Sequence, residues 1–215
     1  MTRFVLFAAL ALAACDATEV AAPPAPPLAD ATFTVTFDAT WSAATHPEAF
    51  PGGAHFSPLA GAAHATDASL WSAGDVASDG IRSMAETGAT AALRAEVEAL
   101  GGAALYAQGG EVRRSPGTAQ WTVRVSEDRP AVSVVTMIAP SPDWFVGVDG
   151  LDLRDGDGWA DRVVVDLAAY DAGTDSGETY TAANAPTMPR EPIALVDYAP
   201  LAGTTLGTLT IERTE

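Results

Sequence analysis

The stretch Thr32-Phe-Thr-Val-Thr-Phe37 alternates apolar side chains with threonine. A period of two residues places Phe33, Val35 and Phe37 on one face of a strand and the threonines on the other. A strand with one apolar face must bury that face against a second layer of structure. The segment therefore predicts a half-buried strand in a layered β fold.

Five further runs rich in β-branched or aromatic residues follow along the chain. Clusters of Gly, Pro and Asp separate them, which is typical of turns between antiparallel strands. We therefore predict a mainly β chain folded as an antiparallel β-sandwich. The runs cover residues 121–125, 131–138, 162–167, 193–196 and 204–211.

Residues 76–100 depart from this pattern, because Ala, Glu and Arg dominate their composition. Apolar residues recur there at i, i+4 and i+7, which is one face of a helix. Gly88 divides the segment, and two glycines at 101 and 102 supply a stop. We expect one or two short helices inserted around residues 76–100.

The composition supports a folded domain and excludes one class of partner. Hydrophobic residues make up 48% of the 215 residues and charged residues 18%, so a core can form. Acidic residues number 28 against 11 basic ones, and none of the basic residues is lysine. The net charge of −17 argues against nucleic-acid binding, since affinity for phosphate backbones comes from clustered Lys and Arg.

The N-terminal residues have the features of an export signal. Arg3 precedes an apolar run of eleven residues, 4–14, which is too short to span a bilayer of about 30 Å as a helix. We interpret residues 1–14 as a signal peptide. The sequence Leu12-Ala-Ala-Cys15 at its end resembles the lipobox of bacterial lipoproteins. It predicts a lipid on Cys15, hence a protein exported to the bacterial cell envelope and anchored there to a membrane.

The segment after this signal has the composition of a tether. Residues 16–30 contain four prolines and no aromatic residue, which favours extended polyproline geometry over packing. We therefore assign 15–30 to a Pro/Ala-rich tether and 31–215 to the folded domain. Cys15 is the only cysteine, so a lipid on it leaves no thiol for a disulfide.

The three histidines, His46, His55 and His64, are spaced nine residues apart. This spacing matches neither a helical turn nor a zinc motif, so we interpret them as structural or surface residues.

The segment around Asp155 and Asp157 resembles part of an EF-hand loop. Aligning Gly158 with loop position 6, however, puts Leu153 and Val164 where oxygen ligands are required. The segment is therefore interpreted as a solvated turn.

Two other acidic segments are candidate metal sites. Asp171 and Asp175 lie in a glycine-containing loop that follows a predicted strand, and such a loop can chelate a hard cation or simply turn the chain. Asp143 lies between a double-proline turn and aromatic residues, where capping of the local backbone is the alternative role.

Patterns of the common enzyme classes are missing from the sequence. It contains no G-x-S-x-G elbow, no Walker loop and no dinucleotide-binding glycine pattern. We therefore expect a protein that is not an enzyme. A metal-dependent hydrolase of glycans or phosphoesters stays open as an alternative, because the separation of the carboxylates is not readable from sequence.

Several segments together resemble the spondin N-terminal domain, the module found in F-spondin, in mindin and in bacterial secreted proteins. The resemblance runs in order from about Phe33 to Glu191. Its most specific parts are the strings Pro140-Ser-Pro-Asp-Trp144 and Asp171-Ala-Gly-Thr-Asp-Ser-Gly177. The segments are His55-Phe-Ser-Pro-Leu-Ala-Gly61, Ala63-His64, Leu70-Trp71, Gly74, Ala77-Ser78, Ala85-Glu-Thr-Gly88, Ile138-Ala-Pro-Ser-Pro-Asp-Trp-Phe-Val-Gly147 and Asp171-Ala-Gly-Thr-Asp-Ser-Gly177.

The resemblance implies a β-sandwich similar to C2 domains, with a calcium ion held by loops at one end. The acids that match are Asp143, Asp171 and Asp175. Three converging carboxylates without a cationic partner would repel each other strongly, which is consistent with a divalent ion between them.

The animal relatives carry cysteines that this chain lacks, one of them where Arg154 stands, and residues after about Ala199 match poorly. Disulfides are therefore not carried over.

The resulting hypothesis is a calcium-binding, lipid-anchored envelope protein that acts in recognition or adhesion. Its partner would be an extracellular or envelope protein or a glycan. A purely structural envelope protein, in which calcium only stabilises the fold, is the remaining alternative.

Overall fold

The computed structural model describes residues 27–215. The predicted signal peptide (1–14), Cys15 and most of the predicted tether (15–30) lie outside these residues. No helix within 27–215 is long and apolar enough to cross a membrane.

The described chain forms mainly strands and two short helices, in the order that follows. The strands are β1 (Ala31–Ala39), β2 (His55–Phe56), β3 (Ala60–His64), β4 (Ala104–Gln108), β5 (Gly117–Val125), β6 (Ala131–Ala139), β7 (Trp144–Asp152), β8 (Arg154–Asp155), β9 (Gly158–Trp159), β10 (Arg162–Leu167), β11 (Ala169–Asp171), β12 (Ala194–Leu195) and β13 (Gly207–Arg213). The helices α1 (Asp79–Thr87) and α2 (Ala91–Ala99) lie between β3 and β4, with a 3-10 turn at Gly101–Ala103.

Two antiparallel sheets make up the sandwich, as the alternating sequence pattern predicts. The first has the strand order β10-β13-β1-β5. The second has the order β12-β11-β7-β6-β3-β4, and β2 pairs with β6 beside it. In β1 the residues Phe33, Val35 and Phe37 are fully buried, while the intervening threonines are partly exposed. The predicted mainly β sandwich is confirmed.

The main core lies between the two sheets. It contains five fully buried aromatic side chains, Phe33, Phe37, Trp41, Phe56 and Trp144. Removing such large apolar areas from water supplies roughly 25 cal/mol per Å² and is the main stabilising term for the sandwich.

A second, smaller core lies between the larger sheet and the helices. Ile81 and Met84 of α1 pack with Leu93 and Val97 of α2 and with Phe145 of β7. The helices therefore cover the outer face of the larger sheet.

The helical insertion is confirmed, and its ends have clear physical causes. The Ser78 hydroxyl accepts a hydrogen bond from the N–H of Ile81, which caps the start of α1. Gly88 ends the helix with a φ of +71°, a left-handed conformation that glycine adopts without strain. The carboxylate of Glu96 on α2 also accepts hydrogen bonds of 2.7 Å from the Ser78 hydroxyl and from the N–H of Gly80.

Most predicted strands form at the expected residues, and two end runs differ in their bounds. The run at 193–196 forms only the two-residue strand Ala194–Leu195. The strand predicted at 204–211 begins and ends later, at Gly207–Arg213.

Strands β3 and β4 are among those that the predicted runs do not cover, because alanine, which has a low β propensity, makes up three of five residues in β3 and two of five in β4. Gly61 allows the close approach of β3 to β6, since a Cβ there would lie 1.9 Å from the backbone oxygen of Ser133.

Candidate functional site

Asp143 lies in the tight connection between β6 and β7, at one end of the sandwich. The Ser141 hydroxyl donates to the Ile138 carbonyl oxygen at 2.6 Å and accepts a hydrogen bond from the N–H of Trp144 at 3.1 Å. This local bonding fixes the turn around Asp143. Trp144, directly after it, is fully buried in the main core and anchors the turn.

The Asp143 side chain is fully buried. Its Oδ2 atom accepts hydrogen bonds from the N–H of Thr174 at 2.7 Å, from the Thr174 hydroxyl at 3.1 Å and from the N–H of Asp175 at 3.0 Å. The other oxygen, Oδ1, is buried and has no hydrogen-bond partner within the described residues. A buried carboxylate oxygen without a partner is energetically costly, so its presence calls for an explanation.

The environment of Asp143 disfavours its charged form. Burial, and after it the neighbouring negative charge of Asp171, raise the pKa of this carboxyl to about 6. The hydrogen bonds from Thr174 and Asp175 act in the opposite sense but are outweighed. The site thus holds two acidic groups close enough to repel each other.

Asp171 is the last residue of β11 and carries two hydrogen bonds. Its Oδ1 atom accepts from the N–H of Gly173 at 2.7 Å, and its Oδ2 atom accepts from the hydroxyl of Tyr198 at 2.9 Å. Burial, together with the charge of Asp171, raises the pKa of Tyr198, so this phenol stays protonated and remains a donor. Gly173 is required here, since its φ is +70° and a Cβ would lie 2.2 Å from the Glu191 carbonyl oxygen.

Asp175 is buried, and its carboxylate connects backbone groups of the loop between residues 175 and 186. Its Oδ1 atom accepts from the N–H of Gly177 and its Oδ2 atom from the N–H of Ala185, both at 2.9 Å. Asp175 also forms an isolated antiparallel bridge with Pro186. The carboxylate therefore closes the loop from 175 to 186.

A cavity of about 210 Å³ lies between the loops that carry Asp171 and Asp175, and buried Asp143 is not among the residues that line it. Asp171 and Asp175 line it together with Glu178, Glu191 and Tyr198. The last three residues were not identified from the sequence, because they follow no ligand spacing and come from separate segments. Carboxylate and carbonyl oxygens are the donors that calcium prefers.

The structure thus brings the three predicted acids to one end of the sandwich, in different ways. Asp143 and Asp171 interact through their charges, whereas Asp143 meets Asp175 through the backbone N–H of the latter. No group of three or more His, Cys, Asp or Glu residues in the 27–215 portion is arranged to hold a metal ion.

The histidines lie at separate places. His64 is fully buried between the hydroxyl of Ser133 and the carbonyl oxygen of Ala65, each 2.8 Å from a ring nitrogen. His55 contacts the Gly53 carbonyl oxygen, and His46 contacts the Thr45 hydroxyl. These contacts agree with structural and surface roles.

The segment at Asp155 and Asp157 forms an exposed turn between β8 and β9. This agrees with the interpretation as a solvated turn.

Comparison with known proteins gives a consistent result over most of the domain. A family model described as Spondin_N matches residues 31–200. The chain belongs to the spondin N-terminal domain family. The predicted resemblance is confirmed at this level, and the match ends close to Ala199, after which the sequence resemblance is poor.

Curated relatives of this spondin domain come from animals. Human Spondin-2 is 41% identical over 170 residues, which cover 76% of this chain and 51% of that protein. Spondin-2 of Rattus norvegicus is 40% identical over 170 residues, and Spondin-1 of Gallus gallus is 38% identical over 175 residues and 21% of its length. The chain therefore spans about half of Spondin-2 and about a fifth of Spondin-1.

Proposed function

We propose that this spondin domain binds a calcium ion at the loop end of the sandwich, through Asp143, Asp171 and Asp175. The domain then acts without catalysis in recognition or adhesion, with an extracellular or envelope protein or a glycan as its partner.

The observation that carries the calcium proposal is the Oδ1 atom of Asp143, which has no hydrogen-bond partner in the part of the chain that the structure describes. This oxygen is buried, and a second carboxylate, that of Asp171, is close enough to raise the pKa of Asp143. A divalent cation would offset both costs, because it gives the orphaned oxygen a partner and neutralises the repulsion. Eleven basic residues against 28 acidic ones leave few alternatives for that role in this chain.

The three aspartates have different roles at the proposed site. Asp143 binds the backbone N–H groups of Thr174 and Asp175 through Oδ2, while its buried Oδ1 would be the ligand for the ion. Asp171 and Asp175 face the cavity and keep lone pairs beyond their present hydrogen bonds. Calcium would supply positive charge and a fixed coordination shell, which orders the loops that surround it.

A recognition role is supported by the position of the cavity at a loop end. Loops carried by a rigid sandwich are the usual location of binding residues. The relatives contain this domain within longer chains, so partners of the whole relatives are not carried over to this one.

Attachment to a membrane through a lipid on Cys15 is a further part of the proposal. It is supported by the signal-like residues 4–14 and the small residues before Cys15. Mass spectrometry of the protein expressed in a bacterium should find a lipid-modified Cys15 as the mature N-terminus. An unmodified Cys15 still preceded by residues 1–14 would reject the anchor.

A pull-down from envelope extract tests the recognition role. The wild-type domain should retain a partner in calcium and release it in EDTA. Asp175→Asn should weaken retention, whereas Asp157→Asn, in the exposed turn, should not. Equal retention by all proteins in calcium and in EDTA would contradict a calcium-dependent binding role.

A further inference from the structure

The sandwich has an open seam on the side where the chain changes sheets. β10 is an edge strand of the first sheet and pairs only with β13 among the described strands. After Ala168 the chain enters the second sheet as β11, which pairs with only the first three residues of β7, 144–146. Among the described residues, the rest of β7 therefore pairs on one side only, with β6 through residues 147, 148, 151 and 152.

A cleft of about 370 Å³ lies along this seam. Its lining combines two aromatic side chains, two carboxylates and apolar strand residues. These include Trp71, Tyr170, Asp149, Asp166, Val148 and Val165.

On the side of β10 that faces away from β13, backbone N–H and C=O groups have no strand partner among the described residues. The N–H of Arg213 donates to the Asp161 carbonyl oxygen at 2.9 Å. This bond identifies position 161, and every second residue after it, as those whose backbone groups hydrogen-bond to β13. In an antiparallel pair, alternate residues direct their N–H and C=O groups toward the partner strand. Val164 and Asp166 therefore direct theirs away from β13, and Val164 is 48% exposed. An open edge of this kind is a template for strand addition.

Asp149 is exposed at the cleft and is held in position by hydrogen bonds, one of which reaches the buried residue Ser133. The Ser72 hydroxyl donates to its Oδ2 atom at 2.6 Å. Its Oδ1 atom is 3.4 Å from the hydroxyl of Ser133, a fully buried residue at the irregularity in the pairing of β6 with β7. Ser133 in turn accepts from the N–H of Gly150 and contacts buried His64, both at 2.8 Å.

The cleft carries negative charge without a basic partner. No Arg or His of the described residues forms a salt bridge with Asp149 or Asp166. Beside them, the Trp71 and Tyr170 rings meet edge to face at 4.9 Å. Aromatic faces next to carboxylates suit the alkyl stem and the charged head of Lys or Arg.

We infer that this cleft binds an extended segment of a partner protein that carries Lys or Arg at alternate positions. The segment pairs its backbone with the open edge of β10 and directs basic side chains to Asp149 and Asp166. Strand addition of this kind draws affinity from the main chain and specificity from alternate side chains. A second copy of this chain is a poor occupant, because two molecules of net charge −17 repel each other. The site is separate from the calcium cavity and does not depend on it.

A library of random octapeptides displayed on phage and selected on the whole folded chain tests this inference. Selected peptides should contain Lys or Arg at alternate positions, and their affinity should fall as the salt concentration rises. Against one such synthetic peptide, Asp149→Asn and Asp166→Asn should each weaken binding about tenfold, which corresponds to about 1.4 kcal/mol. Glu98→Gln, a charge change on exposed α2 outside the cleft, is the matched control.

Two further variants separate this site from others. Val164→Pro removes an outward N–H without a ladder hydrogen bond, so it should abolish peptide binding and leave the melting temperature nearly unchanged. Asp175→Asn and EDTA should leave peptide binding intact even if they abolish calcium binding.

Several results would overturn the inference. They are selected peptides without basic residues, no selected peptides at all, equal binding by Asp149→Asn and Glu98→Gln, or a dimer in sedimentation that peptide does not dissociate.

Discussion

The carboxylate of Asp143 accepts a hydrogen bond from the backbone N–H of Thr174 at 2.7 Å, although the two residues lie 31 positions apart. The bond joins the turn before β7 to the loop after β11. It uses one carboxylate oxygen and leaves the other buried, without a hydrogen-bond partner among residues 27–215. Capping of backbone groups and metal binding, which the sequence presents as alternatives for Asp143, are therefore compatible in one side chain.

Calcium affinity should depend on the acids that face the cavity. Asp171→Asn and Asp175→Asn each replace a charged oxygen donor, so each should weaken calcium binding at least tenfold, or about 1.4 kcal/mol. Isothermal titration of calcium into EDTA-treated, dialysed protein measures this. Asp157→Asn is the control, because Asp157 lies in an exposed turn. Unchanged affinity in both site variants would count against the site.

Calcium should also stabilise the fold. At about 100 times its dissociation constant, a ligand that binds only the folded state adds about 2.7 kcal/mol to the free energy of unfolding. For a domain of this size the melting temperature should then rise by roughly 5–10 °C. Calorimetry in calcium and in EDTA gives the comparison, and identical melting curves would refute a site in the folded state.

Without calcium, Asp143 should make stability depend on pH. Its pKa is about 6 in the folded state against an ordinary value of 3.8, so ionisation is less favourable in the folded protein than in the unfolded chain. The contribution of Asp143 to the free energy of unfolding should therefore fall as the pH rises from about 4 to about 6, by on the order of 3 kcal/mol.

Urea denaturation of the wild type and of Asp143→Asn in EDTA isolates this effect. The free energy of unfolding of the wild type minus that of the variant should decrease between pH 4 and pH 7. Arg154 lowers the pKa of Asp152, whose stabilising contribution is lost only as the pH falls below about 4, outside this window. A difference that stays constant with pH would show that Asp143 is not the cause.

Gly61→Ala should disrupt the pairing of β3 with β6. A Cβ at this position would lie 1.9 Å from the Ser133 backbone oxygen, so the strands would have to move apart, at a cost of about 3 kcal/mol. Gly102→Ala, where no atom of the described residues outside the glycine and its chain neighbours lies within 4 Å of the added carbon, is the matched control. Chemical denaturation of both variants measures the contrast, and equal stability would be incompatible with this packing.

Glu96→Ala should destabilise the helical insertion. The variant loses the acceptor for the Ser78 hydroxyl and for the Gly80 N–H, which should lower the free energy of unfolding by about 1–2 kcal/mol. Glu98→Ala, two residues away on the exposed face of α2, should change it by less than about 0.5 kcal/mol. If the two variants unfold at the same urea concentration, the cross-helix cap contributes nothing.

The layered fold was predictable because apolar residues alternate with threonines in β1, which indicates one buried and one exposed face. The helices were predictable from their composition and from Gly88. β3 and β4 were not, because residues 60–64, mostly alanine, become a strand only when flanking strands and helices cover both faces. That information is tertiary and is missing from the local pattern.

The candidate site was predictable to a similar extent. The family resemblance singled out Asp143, Asp171 and Asp175, and the structure places all three at one end of the sandwich. The roles of Tyr198 and Glu191 were not predictable, since each reaches the cavity from a distant segment without a motif. Nor does a residue pattern reveal that one oxygen of Asp143 is satisfied and the other is not.

Strand β11 is only three residues long, yet its last two residues face different surfaces: Tyr170 lines the seam cleft, and Asp171 lines the cavity beneath the loops. Neighbouring residues of a strand point to opposite faces, so a ligand at one surface does not cover the other. The domain can therefore hold one ligand at its tip and a second at its side at the same time.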